Sequence, residues 1–195
     1  MKTPNTLLHK LAHFISTIGN PLVTVSVFIV FVSAALFTPA QAAWLSFLVV
    51  GCVAIPVAAN NYFKTKKGHY TNFDLSDRKQ RQNVYPRLLA LMAIITAILF
   101  ATHQPISFCI GSAVILGMMT TSYIVNFWLK ASMHTSISFF LAFGLFKISL
   151  TGGVLMLVFA VLISVSRLVL KRHTLAEVLA GGLLGTAFGL INYFL

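Results

Sequence analysis

The chain has 195 residues, of which 58% are hydrophobic and only 9% charged. A soluble domain carries about 25% charged residues, so this composition excludes an ordinary water-soluble enzyme and defines an integral membrane protein. The formal charge of +11 reflects three acidic residues against fourteen Lys and Arg. Those cations cluster between apolar segments, as positive-inside topology and anionic headgroups require, which speaks against nucleic acid as a partner.

In chain order, residues 1–20 hold Lys2 and Lys10 with Leu7, Leu8, Leu11, Phe14 and Ile15 near helical spacing, predicting an amphipathic helix on the bilayer surface. His9 and His13 form a possible metal pair, but no third ligand accompanies them. Seven apolar segments follow, at roughly 21–37, 42–59, 88–101, 106–129, 135–148, 153–170 and 175–195. Several are shorter than the ~20 residues of a simple span, so their helices are expected to begin or end within a layer of polar motifs. Thr38-Pro39, Thr102-His103-Gln104-Pro105 and Thr151-Gly152-Gly153 supply the breaks. The expected fold is all-α: a multi-pass transmembrane helical bundle of about six to seven spans, forming a single integral membrane domain over 1–195 with a polar loop at 60–87.

Ala40-Gln41-Ala42 has the form of a signal-peptidase site, but the basic region before it is long for a signal peptide, so the first span is expected to stay uncleaved. Cys52 and Cys109 lie inside apolar runs and read as small buried hydrophobes. Lys2, Lys10, Lys64, Lys66 and Lys67 share the N-terminal side even after every candidate substrate-binding cation is set aside, with Lys147 alone opposite. That side is predicted to be cytoplasmic in a cell membrane.

Three polar clusters are separated by an even number of apolar segments and so emerge on one face. The first is Asp74-Leu75-Ser76-Asp77-Arg78-Lys79-Gln80-Arg81 with Tyr85-Pro86. The second is Lys130-Ala131-Ser132-Met133-His134. The third is Ser166-Arg167 with His173 and Glu177. On a helix, residues four apart share a face, so Glu177 can hold one ring nitrogen of His173. Guanidinium and ammonium groups beside histidines suit phosphoryl chemistry, where fixed cations stabilise equatorial oxygens. Three carboxylates in the whole chain are too few for a two-metal centre plus an orienting acid, so no metal or cofactor is expected.

These clusters resemble the signature of the type 2 phosphatidic acid phosphatase superfamily, which shares its fold with vanadium haloperoxidases and bacterial acid phosphatases. The family's third motif is Ser-Arg, five residues, His, three residues, Asp; Ser166-Arg167, His173 and Glu177 match it with Glu for Asp. Its second motif is Pro-Ser-Gly-His, of which Ser132 and His134 remain beside Ala131 and Met133. Its first is Lys, six residues, Arg-Pro, which Arg78 and Tyr85-Pro86 meet in length, with Arg81 a further cation nearby. The resemblance spans roughly 74–185 and implies a lipid phosphatase core there. It implies that His173 attacks phosphorus to give a phosphohistidine, Glu177 orients it, and His134 protonates the leaving alkoxide and then activates water. Arg167, Arg78, Arg81, Lys130 and Ser132 would bind the phosphate.

The implied substrate is a lipid phosphomonoester or diphosphate, of the phosphatidate, phosphatidylglycerophosphate, polyprenyl diphosphate or lipid A class. Two alternatives stand beside it: a non-catalytic anionic-lipid binder, motivated by Ala131, Met133 and Tyr85, and a lipid phosphotransferase. Asp74 and Asp77 are expected to shape their loop through nearby cations; a Mg²⁺-diphosphate role, as in membrane prenyltransferases, would require a second aspartate-rich loop, which the sequence lacks.

Overall fold

A computed structural model describes residues 6–75 and 77–195, which form helices joined by turns and loops, with no strand among them; Lys2 and Ser76 lie outside these residues. The helices are α1 (Leu7–Ile18), α2 (Pro21–Leu36), α3 (Pro39–Ser46), a π-helical stretch (Phe47–Ala54), α4 (Ile55–Lys66), α5 (Arg78–Ala101), α6 (Ile106–Val125), α7 (Met133–Phe146), α8 (Leu150–Val169) and α9 (Leu175–Phe194). Every apolar segment is thus helical. Among the described residues, five helical stretches are long and apolar enough to cross a membrane: Pro39–Lys66, α5, α6, α8 and α9. This is a multi-pass helical bundle. At 16 and 14 residues, α2 and α7 fall short of crossing length.

The chain divides into two compact units. One comprises Leu22–Phe127. Within it, Pro39–Lys66 runs as one helical segment whose centre is π-helical. Pro56 lacks the N–H that an α-helix would direct at Cys52, and Ile55 N–H bonds five residues back to Val50. Leu45, Leu48 and Val53 of this segment pack with Ile95 and Leu99 of α5 and Cys109 of α6 into an apolar core. Asp77 starts α5 by accepting Gln80 N–H at 2.8 Å, so the helix begins ten residues before its apolar stretch at 88.

The other unit joins α1 to Trp128–Phe194. Helix α7 lies between α8 and α9, and α1 packs on α8. Ser132 N–H donates to Glu177 C=O at 3.0 Å near the start of α7 and α9, and Lys147 Nζ donates to Asn192 C=O at 2.9 Å near their ends. The two helices therefore run parallel, with α8 returning between them in sequence. Their backbones approach closely because α9 presents glycine on the contact face. A Cβ at Gly181 would lie 2.6 Å from Ser132 O, and one at Gly185 would overlap Ser136 O.

Candidate functional site

The third cluster is two helix ends joined by a tight turn. At the end of α8, Lys171 N–H bonds to Leu168 O at 2.9 Å and Arg172 N–H to Arg167 O at 3.0 Å, a Schellman closure. Its left-handed position, usually glycine, is Lys171 at φ 52°. His173 N–H also reaches Arg167 O, at 3.4 Å. Thr174 then opens α9 with a capping box: Glu177 N–H donates to Thr174 Oγ1 at 3.3 Å, and Thr174 N–H donates to Glu177 Oε2 at 3.1 Å. The five residues between Arg167 and His173 are the last helical residues plus the closure, and the three between His173 and Glu177 are the cap and first turn.

The same Oε2 of Glu177 lies 2.9 Å from His173 Nδ1. A carboxylate only accepts, so Nδ1 carries the hydrogen, and Nε2 is the ring nitrogen turned away from Glu177. The His173 side chain is 1% exposed. Lys130 Nζ stands 3.7 Å from that oxygen and donates to Arg172 C=O at 3.2 Å, tying the second cluster to the third.

Arg167 is the largest fully buried side chain of the described residues. Its Nη1 donates to Ser16 Oγ of α1 at 2.6 Å. A buried guanidinium is costly without such bonds, and the C-terminal end of a helix favours a cation. Ser132 caps α7: its Oγ accepts from Thr135 N–H at 3.5 Å and from the Thr135 hydroxyl at 3.1 Å. Ser164 of α8 donates to Thr135 Oγ1 at 3.3 Å, so α7 and α8 also meet through buried hydroxyls. His134, in the first turn of α7, is 4% exposed.

The structure thus gathers His173, Glu177, Lys130, Ser132, Arg167 and the buried His134 where α7 starts, α8 ends and α9 starts. Arg78 and Arg81 belong to the other unit. There Arg78 Nε donates to Asn126 C=O at 2.7 Å, and Arg81 is buried beside buried Tyr85 one turn on. Asp77, expected to shape its loop through cations, accepts Gln80 N–H as the cap of α5. Ser16, Thr135 and Ser164 were not legible as site residues. Serine and threonine are common in apolar helices, and only the fold brings Ser16 to Arg167 across 151 residues. Among the described residues no three His, Cys, Asp or Glu side chains come together as a metal site.

Residues 123–194, from the end of α6 through α9, match the family model of the PAP2 superfamily. This part of the chain, which carries the second and third clusters, is similar to the PAP2 superfamily, and the match supports a phosphatase-type fold there. No curated protein and no solved structure matches the chain.

Proposed function

We propose that the protein is a membrane lipid phosphatase that works through a phosphohistidine at His173. The observation that carries this is the Glu177 carboxylate on His173 Nδ1 at 2.9 Å in a buried setting. Holding Nδ1–H fixes the tautomer in which Nε2 is nucleophilic, and the carboxylate stabilises the positive charge that attack creates. A site that merely bound anionic lipid would have no use for that pairing.

In the first step Nε2 attacks phosphorus, the P–O bond to the lipid breaks, and His134 gives a proton to the departing alkoxide. In the second, water attacks the phosphohistidine, His134 accepts its proton, and the P–N bond breaks to release phosphate and neutral His173. Arg167 binds the phosphoryl oxygens, held in place by Ser16. Lys130 holds the Glu177 carboxylate and adds positive potential; Ser132 keeps the start of α7 in place and offers its hydroxyl to phosphate. Arg78 and Arg81 are proposed as further phosphate contacts from the sequence alone. The substrate is a lipid phosphate because the bilayer delivers amphiphiles to a multi-pass protein by lateral diffusion, and the site is proposed to face the cytoplasm.

Phosphate release from a panel of lipid phosphates in EDTA, wild type beside His173→Ala, tests this. Release by wild type alone is expected. Release by both proteins at equal rates, or by neither while both melt normally, would overturn it.

A further inference from the structure

A second basic site lies on the outer side of the same unit. Helix α1 and the α8–α9 turn enclose an open groove of about 750 Å³, lined by His9, Lys10 and His13 from α1 and by Leu170, Lys171 and Arg172 from the turn. It is distinct from the buried pair: Arg172 lines the groove, whereas the next residue, His173, has its ring on Glu177.

Three features point to an anion. First, three permanent cations and two imidazoles line the groove, yet the only acidic side chain among α1 and residues 128–194 is Glu177. That carboxylate already serves His173, Thr174 and Lys130. Second, Lys171 occupies a left-handed position that a side chain adopts at a cost of about 1 kcal/mol and that glycine would fill freely. Lysine there adds a cationic residue to the groove lining at the expense of the turn. Third, the helix is firmly seated. Ala12 and Ser16 are buried, and a Cβ at Gly19 would come within 2.5 Å of Ile163 on α8, so close packing fixes His9, Lys10 and His13 opposite the turn. The Thr17 hydroxyl lies 3.4 Å from His13 Nδ1 and steadies that ring.

The same helix exposes Leu7, Leu8, Leu11 and Phe14. An amphipathic helix with such a face suits the acyl–headgroup boundary, where the groove would meet headgroups. We propose that this groove binds a phosphate group, supplied by an anionic phospholipid headgroup or by free phosphate, separately from the site at His173.

The test uses the full chain and phosphatidylglycerol, a phosphodiester that does not report phosphomonoester turnover. Native mass spectrometry would count lipids retained from mixed phosphatidylglycerol–phosphatidylcholine micelles by wild type, Lys10→Gln/Lys171→Gly and His173→Ala. Glycine suits the left-handed turn, so the double variant should melt no lower than wild type. Phosphatidylglycerol retention should fall roughly fivefold for each cation removed, with phosphatidylcholine unchanged and His173→Ala retaining as much as wild type. Calorimetry with inorganic phosphate separates the sources. Binding by wild type that the double variant loses, with lipid retention equal in both, would assign the groove to free phosphate. Equal phosphatidylglycerol retention and equal phosphate binding in both proteins would overturn the proposal.

Discussion

Glu177 Oε2 receives His173 Nδ1 at 2.9 Å and Thr174 N–H at 3.1 Å, with Lys130 at 3.7 Å, so one carboxylate both orients a histidine and caps a helix. These duties separate by mutation. Glutamine also completes a capping box, so Glu177→Gln should leave the melting temperature nearly unchanged. It removes the charge facing the imidazole and should lower turnover by roughly 10²–10⁴. Glu177→Asp keeps the charge and should retain activity within about tenfold. Initial rates and thermal melts of both variants check this; a Gln variant turning over like wild type would remove Glu177 from the mechanism. The His173–Glu177 pair was expected from four-residue spacing on one helix face, but His173 precedes the Thr174 cap of α9, and the pair meets because Glu177 folds back over that cap. The placement of Lys130 on that carboxylate, and of the Ser132 hydroxyl on Thr135, was not legible. Each depends on where α7 starts and on partners from another turn, which local sequence does not encode.

Among the elements, α9 shows how a small-residue face sets the site. Gly181 and Gly185 let α9 lie against the backbone of Ser132 and Ser136, and this contact holds Glu177 C=O on Ser132 N–H. Gly185→Ala forces a methyl onto a backbone carbonyl that cannot swing aside. A loss of about 1–3 kcal/mol is expected, read as a lower melting temperature, whereas Gly182→Ala meets only Thr135 Cγ2 at 3.8 Å and should be tolerated. Equal melting of the two variants would refute the close approach. Hydropathy located each apolar segment but missed the polar start of α5. Residues 78–87 are polar, so the apolar pattern missed the first ten residues of α5, which Asp77 caps. Likewise, nothing in an apolar run distinguishes α-helix from the π-helical stretch that Pro56 accompanies. Helix α1 exposes Leu7, Leu8, Leu11 and Phe14, as its apolar spacing led one to expect, and its opposite, small-residue face on α8 only the fold reveals.

Over the whole molecule the charge distribution carries the topology. Fourteen Lys and Arg face three acidic residues, and Lys147 alone is expected opposite the remainder. A reporter fused after Lys67 should therefore score as cytoplasmic; an external signal would reverse the proposed orientation while leaving the site chemistry unchanged. The proposed chemistry rests on one claim, a covalent intermediate on His173. The most direct test is to react the wild-type protein with a ³²P-labelled lipid phosphate in EDTA and quench in base, where a phosphoramidate survives. The expected result is an acid-labile label mapped to His173 and missing from a normally folded His173→Ala variant. A label that persists in that variant, or steady turnover by wild type with no label on His173, would contradict the account.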